Sequence, residues 1–280
     1  MYNYAMLVSE INIKITILGY WGVGKTSIVN SFIGKEILDI YIPTIGSYIA
    51  RKEYKLGSTH IKLNIWDIGG QRSFNPLNPV FFSNLDAAFL VFDLSNPKET
   101  LLELYNPYLK NLAQYPPECQ IYIIGNKSDL IKPEDSEILL NNIRKEKIKE
   151  FPVIFVSAKH QSNISEAFCL MVYDFLGKLL KDTKNIALEG LQAEFLKSIG
   201  KTSAELKELI INLGKIDSGS LLNKITPKVI RKVIPSDDSN LLRLKEIKEI
   251  KQFKTIYPNL EIIKRNIMDA YLNNIITVTD

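Results

Sequence analysis

Eight residues, Gly19-Tyr20-Trp21-Gly22-Val23-Gly24-Lys25-Thr26, combine three glycines with a lysine and a hydroxyl at the Walker A spacing. Glycines let backbone N–H groups turn inward around phosphate oxygens, and a helix N-terminus behind them adds positive potential. Lys25 is placed to reach the β and γ oxygens of a nucleoside triphosphate, and the Thr26 hydroxyl to coordinate Mg²⁺. The nucleotide-contacting stretch runs from Trp21 through Gly22, Val23, Gly24, Lys25 and Thr26 to Ser27. The competing reading is an accidental Gly-rich turn, and the strand before it and helix after it weigh against that.

A second cluster, Trp66-Asp67-Ile68-Gly69-Gly70-Gln71, closes a strand, with Asp67 forty-one residues after Thr26. An acidic residue there can hold Mg²⁺ through water, Gly70 can offer an unobstructed N–H to a γ-phosphate, and the Gln71 amide can orient an attacking water. Alone, Asp-x-Gly-Gly is a common turn; its meaning comes from its distance to the phosphate loop. A third cluster, Asn126-Lys127-Ser128-Asp129, follows an apolar run ending in Gly125. The Asp129 carboxylate can accept from guanine N1–H and the 2-amino group together, a donor pattern adenine lacks. The Lys127 stem can cover one face of the base. In Ser157-Ala158-Lys159, a small residue at 158 lets its N–H approach guanine O6. The bound ligands implied are GTP or GDP with Mg²⁺, and Asp129 disfavours an ATP-dependent kinase or transport ATPase.

These clusters need strands that end together. Residues 11–18, 87–92, 121–124 and 153–156 are short apolar runs that fit buried parallel strands, and 48–55 and 61–66 alternate around Leu56-Gly57-Ser58 as a hairpin. Helical spacing follows the phosphate loop, begins again at Asn96-Pro97, and recurs over 134–149 and 164–180. The expected fold class is α/β: a P-loop NTPase G domain with a mostly parallel six-stranded sheet and helices on both faces, plus a mainly helical C-terminal segment. The pattern changes near Lys181, which divides the chain into 1–180 and a helical extension, 181–280. In the extension, Leu188, Leu191, Phe195, Leu196 and Ile199 keep helical spacing. So do Leu206, Leu209, Ile210 and Leu213, after a Thr202–Glu205 capping box. Three more helices are expected around 226–233, 244–250 and 260–271.

The 280 residues carry a net charge of +4, too mild an excess to argue for nucleic acid or another polyanion. Cys119 and Cys169 lack metal-type spacing and read as buried thiols in a reducing compartment. No signal peptide, membrane span or lipidation signal is visible, so the expected location is cytoplasmic, with peripheral membrane association open to it.

Taken together, the three clusters resemble the Ras superfamily of small GTPases over residues 11–180, nearest its Rab-like and Arf-like branches. Residues 19–82 align with the Rab pattern without a gap. Tyr41-Ile42-Pro43-Thr44-Ile45-Gly46 looks like the Rab switch I, which implies that Thr44 binds Mg²⁺ through its hydroxyl and the γ-phosphate through its N–H. The resemblance carries over Asp67, Gly70 and Gln71 as switch II residues. Asn126, Lys127, Asp129 and Ser157, Ala158, Lys159 carry over as the base-binding set, with Gln71, Lys25 and Thr44 as the catalytic group. It also implies effectors and an exchange factor or activator that engage the switches.

Three positions depart from the pattern. Trp21 stands where the family has a small residue, so the indole either obstructs an arginine finger supplied in trans or packs over the ribose or switch I. Ile37 replaces an aromatic beside the base, and Asp67-Ile68-Gly69-Gly70 has the Arf and Rag form. After Leu180 there are 17 basic and 13 acidic residues, so the whole +4 lies in the extension. The extension reads either as a helical domain docked on the first or as a partner or membrane surface. Two functions follow: a GTP/GDP switch that hydrolyses GTP, or a GTP-stabilised scaffold with negligible turnover whose extension carries the interactions.

Overall fold

The computed structural model describes residues 10–35, 44, 46–70, 79–104, 108–109, 112, 119–145, 148, 150–183, 188, 190–213 and 241–242. Two compact units divide the chain, Met1–Leu241 and Leu242–Asp280, and only Leu242 of the second is described.

β-branched residues dominate the first strand, β1 (Glu10–Gly19), whose inner positions are buried from Ile11 onward. It runs into the phosphate loop and then α1 (Lys25–Ile33). β2 (Ser47–Leu56) and β3 (Thr59–Ile68) form the expected hairpin, paired antiparallel from Ser47–Ile68 to Leu56–Thr59. A short α2 (Pro79–Phe82) precedes β4 (Ala87–Asp93), every residue of which is buried, as a strand covered on both faces must be. α3 (Pro97–Leu104) starts at the expected Asn96-Pro97. β5 (Gln120–Asn126), α4 (Ser136–Lys145), β6 (Val153–Phe155) and α5 (Ile164–Thr183) complete the alternation. α4 is shorter than the periodicity suggested because a 3-10 turn at Pro133–Asp135 takes up its first residues.

The six strands lie in the order β6-β5-β4-β1-β3-β2, parallel except for the hairpin. This is the mostly parallel six-stranded sheet expected from the sequence. Aromatic packing ties α1 and α5 together over it: Phe32 stacks on Phe168 at 3.8 Å between centroids, and Phe168 lies 4.7 Å from Phe89 of β4. A further two-residue strand occurs at Leu241–Leu242.

Past α5, two more helices form, α6 (Leu191–Ile199) and α7 (Ser203–Lys207). The capping box at Thr202 and Glu205 is present, each satisfying the other's backbone N–H. Phe195 is fully buried and meets Tyr54 of β2 edge-on at 5.2 Å, while Gln192 Nε2 donates to Tyr173 O of α5. Leu188, Leu191, Phe195 and Leu206 belong to the same buried cluster as the β1 and β4 side chains. The helical spacing of Leu206, Leu209, Ile210 and Leu213 misleads beyond Lys207. There Ile210 pairs antiparallel with Ile154, and the Ile211 N–H donates to Val153 O at 2.7 Å. β6 has only three residues and β5 on one side, so its other edge carries backbone groups that a neighbouring extended segment satisfies. Arg144 Nε of α4 donates to Leu213 O at 2.8 Å, holding the end of that segment. The three helices expected after residue 225 lie outside the described residues.

Because Phe195 has no exposed surface, Phe195→Ala should cost about 3–5 kcal/mol of unfolding free energy. Leu102→Ala, at a residue 61% exposed, should change it by less than about 0.5 kcal/mol. Urea denaturation of the full chain measures both, and a near-neutral Phe195→Ala would mean that α6 is not part of the cooperative core.

Candidate functional site

The C-terminal ends of β1, β3, β4 and β5 carry Gly19, Asp67, Asp93 and Asn126, and these ends gather the sequence clusters. Gly24 is the N-cap of α1, with φ 93° and no side-chain hydrogen bond, so the N–H groups of the first turn are uncapped by side chains. Gly24 must be glycine on two counts: its positive φ, and a Cβ there would lie 2.3 Å from Asn126 Nδ2. Lys25 folds back under the loop. Its Nζ donates to Gly19 O at 2.8 Å and Tyr20 O at 2.9 Å, leaving the third of an ammonium's three protons for a phosphate oxygen.

Thr26 Oγ1 lies 2.5 Å from Asp67 Oδ2 and 2.6 Å from Thr44 Oγ1, so three oxygen donors from separate segments converge. Asp67 is fully buried, and its Oδ1 has no hydrogen-bond partner among the described residues. Burial pushes the Asp67 carboxyl above its usual range, against the Thr26 hydrogen bond and the Lys25 charge. Burial lowers Lys25 to about 8, with Asp67 opposing. A buried carboxylate oxygen without a donor, beside two hydroxyls, fits a hard divalent cation such as Mg²⁺, which takes few protein ligands together with phosphate oxygens.

The segments around Gly46 and Gly69 are tied to each other, and Gly70 reaches the loop. The Gly69 N–H donates to Gly46 O at 2.9 Å. Gly70 sits so close that a Cβ would lie 2.5 Å from Lys25 Nζ and 2.7 Å from both Gly19 O and Trp21 N. Gln71, Ile37 and the Tyr41-Ile42-Pro43 stretch lie outside the described residues. Trp21 is 51% exposed and lies 5.6 Å from the Tyr20 ring, so its indole leans on the loop's own aromatic.

On the base side, Asn126 links the two loops. Its Nδ2 donates to Val23 O at 2.9 Å, and its Oδ1 accepts the Ala158 N–H at 3.0 Å. The N–H expected to face guanine O6 is therefore already engaged by Asn126, and O6 would have to share it. Asp129 Oδ1 accepts from Ser157 Oγ, which in turn accepts the His160 N–H. That chain orients the carboxylate and leaves Oδ2 for a ligand. Lys127 has φ 65° and donates through Nζ to Asp93 Oδ2.

Sequence reasoning missed Asp93 and Tyr108. Asp93 had the same signal as Asp67, an acidic residue closing an apolar strand. Tyr108 had none: its hydroxyl reaches Gly19 O across 89 residues of sequence, at 3.3 Å, and burial lifts its pKa to about 12.

A glycine loop opening a helix, crossed by the buried carboxylate of a neighbouring parallel strand, with an Asn-Lys-Ser-Asp turn alongside, defines the P-loop guanine-nucleotide-binding class. The chain belongs to the Ras family, whose pattern matches residues 14–176, and it is a small GTPase of the Rab type. It is 34% identical to the Ras-related protein Rab-7b of Mus musculus over 163 residues, covering 57% of this chain and 80% of that protein. It is 30% identical to Rab-24 of Dictyostelium discoideum, covering 61% and 84%, and 36% identical to Rab-22A of Canis lupus familiaris, covering 56% and 79%. Among the described residues no helix is long and apolar enough to cross a membrane.

Removing the Asn126 side chain unties both loops at once. Asn126→Ala loses two buried hydrogen bonds and should speed GDP release by roughly 30–150-fold, at about 1–1.5 kcal/mol for each bond. Fluorescent GDP release measures this, and a parental rate would show that the loops hold without the amide.

Proposed function

We propose that the protein is a GTP/GDP switch that hydrolyses GTP to GDP and phosphate with Mg²⁺. The observation carrying this reading is the convergence of Thr26, Thr44 and the unpartnered Asp67 oxygen beside the Lys25 ammonium. Thr26 and Thr44 would hold Mg²⁺ through their hydroxyls and Asp67 through water. Bound there, the ion neutralises charge on the β and γ oxygens.

Lys25 spans the same oxygens from the loop side. Val23, Gly22, Gly24, Trp21 and Ser27 line the path of the phosphates. Gly70 lies against Lys25 where a γ-phosphate would press, so the two switch segments respond to its presence or loss. Gln71 orients the attacking water by the family pattern. Asn126, Lys127, Asp129, Ser157, Ala158 and Lys159 receive guanine.

Effectors and regulators engage the segments around Thr44 and Gly70. Residence is cytoplasmic and peripheral at membranes. The nucleotide-binding residues all fall in a G domain, 1–180, and the extension, 181–280, begins with residues packed into that domain's core.

The scaffold reading draws on one observation, the half-exposed Trp21 at the loop where an arginine finger would enter. Single-turnover hydrolysis of bound GTP separates the two: measurable phosphate release supports the switch, and none over hours supports the scaffold.

Asp129→Asn should exchange guanine for xanthine preference, because the amide donates where the carboxylate accepted. Competition among GTP, ATP and XTP checks it, and unchanged GTP affinity would remove Asp129 from the base site. Gln71→Leu should leave GTP binding intact and slow hydrolysis by at least roughly tenfold. A parental hydrolysis rate in that variant would move the water-orienting role elsewhere.

A further inference from the structure

Asp93 ends β4, a strand buried at every residue, yet its carboxylate serves no partner within that strand. Its Oδ1 accepts the Ser95 N–H at 2.8 Å and the Ser95 hydroxyl at 2.6 Å, while Oδ2 accepts Lys127 Nζ at 2.5 Å. The backbone beneath is equally fixed. The Asp93 N–H donates to Thr100 Oγ1, the Leu94 N–H donates to Asn126 O at 2.9 Å, and Asp93 stands in register with Asn126 across β4 and β5. The carboxylate is thus only 11% exposed and held from three sides, while the lysine it grips is 32% exposed and belongs to the base-binding turn.

A free lysine at the rim would sample many rotamers and lose that freedom when a base arrived. Gripped at its ammonium, its four-carbon stem is laid down beforehand, and the left-handed backbone at φ 65° sets the direction in which it leaves. A solvent-exposed ion pair would be a trivial contact. This one is largely buried, and its carboxylate is also held by the Ser95 N–H and hydroxyl.

We propose that Asp93 is a positioning residue for the guanine nucleotide: by holding the Lys127 ammonium it fixes the Lys127 stem as one wall of the base site. Asp93 itself touches no part of the ligand. The inference rests on the guanine-nucleotide reading given above.

A thermodynamic cycle on GDP release tests it, using the full chain with fluorescent GDP and Mg²⁺. Asp93→Ala should release GDP roughly 3–30-fold faster than the parent. Lys127→Met, which keeps the stem but has no ammonium to hold, should be faster by a similar factor. The double variant should then be no faster than Lys127→Met alone, because Asp93 acts only through that ammonium. Multiplying factors in the double variant, or a parental rate for Asp93→Ala, would overturn the proposal.

If Asp93→Ala does not fold, Asp93→Asn serves instead. It keeps an acceptor for Ser95 and offers Lys127 a neutral oxygen, so release should quicken by a smaller factor. That increase should disappear in the Lys127→Met background, and its persistence would overturn the proposal equally. A parent that retains no GDP would defeat the nucleotide reading and this inference together. A parent that retains GDP while the factors multiply would defeat this inference alone.

Discussion

A carboxylate buried at the end of a parallel strand, with one oxygen left unpartnered, is the constraint around which this domain is arranged. Burial opposes charge on Asp67 and on Lys25 alike, and each only partly offsets the other. A fold that keeps such a pair dry needs further charges of both signs at the same place. A divalent cation and a polyphosphate supply that combination. Thr44 and Gly70 meet the pair through a short polar contact and close glycine packing.

The sheet delivers these groups because parallel strands end side by side. β1 pairs with β3 and β4, and β4 with β5, so Gly19, Asp67, Asp93 and Asn126 reach one edge. Cross-links then run laterally along that edge: Asn126 to Val23 and Ala158, Lys127 to Asp93, and Tyr108 to Gly19. The phosphate half and the base half are thereby one hydrogen-bonded rim.

The rim's local parts were legible in the sequence because their chemistry is compact. A glycine loop, an Asp-x-Gly-Gly turn and an Asn-Lys-Ser-Asp turn each state their role within a few residues, and apolar runs before them mark the strands. What pairs across distance was not legible. Asp93 reads as an ordinary strand end until Lys127, thirty-four residues on, is seen to reach it. Residues 206–213 have helical spacing, but the open edge of a three-residue strand draws Ile210 into extended pairing, and no local propensity announces such an edge. Gln71, on which hydrolysis depends in the proposed mechanism, lies outside the described residues.

The pairing of residues 210 and 211 with β6 also decides where tension would enter the domain. A pull on the chain past Leu213 does not arrive along the axis of α5. It arrives at the sheet edge, borne first by the Arg144–Leu213 and Ile211–Val153 hydrogen bonds. From there it passes along β6, two residues from Ser157, which orients Asp129. Load applied to the chain at Leu213 would therefore reach the turn that carries Ser157 before it reached the glycine loop after β1.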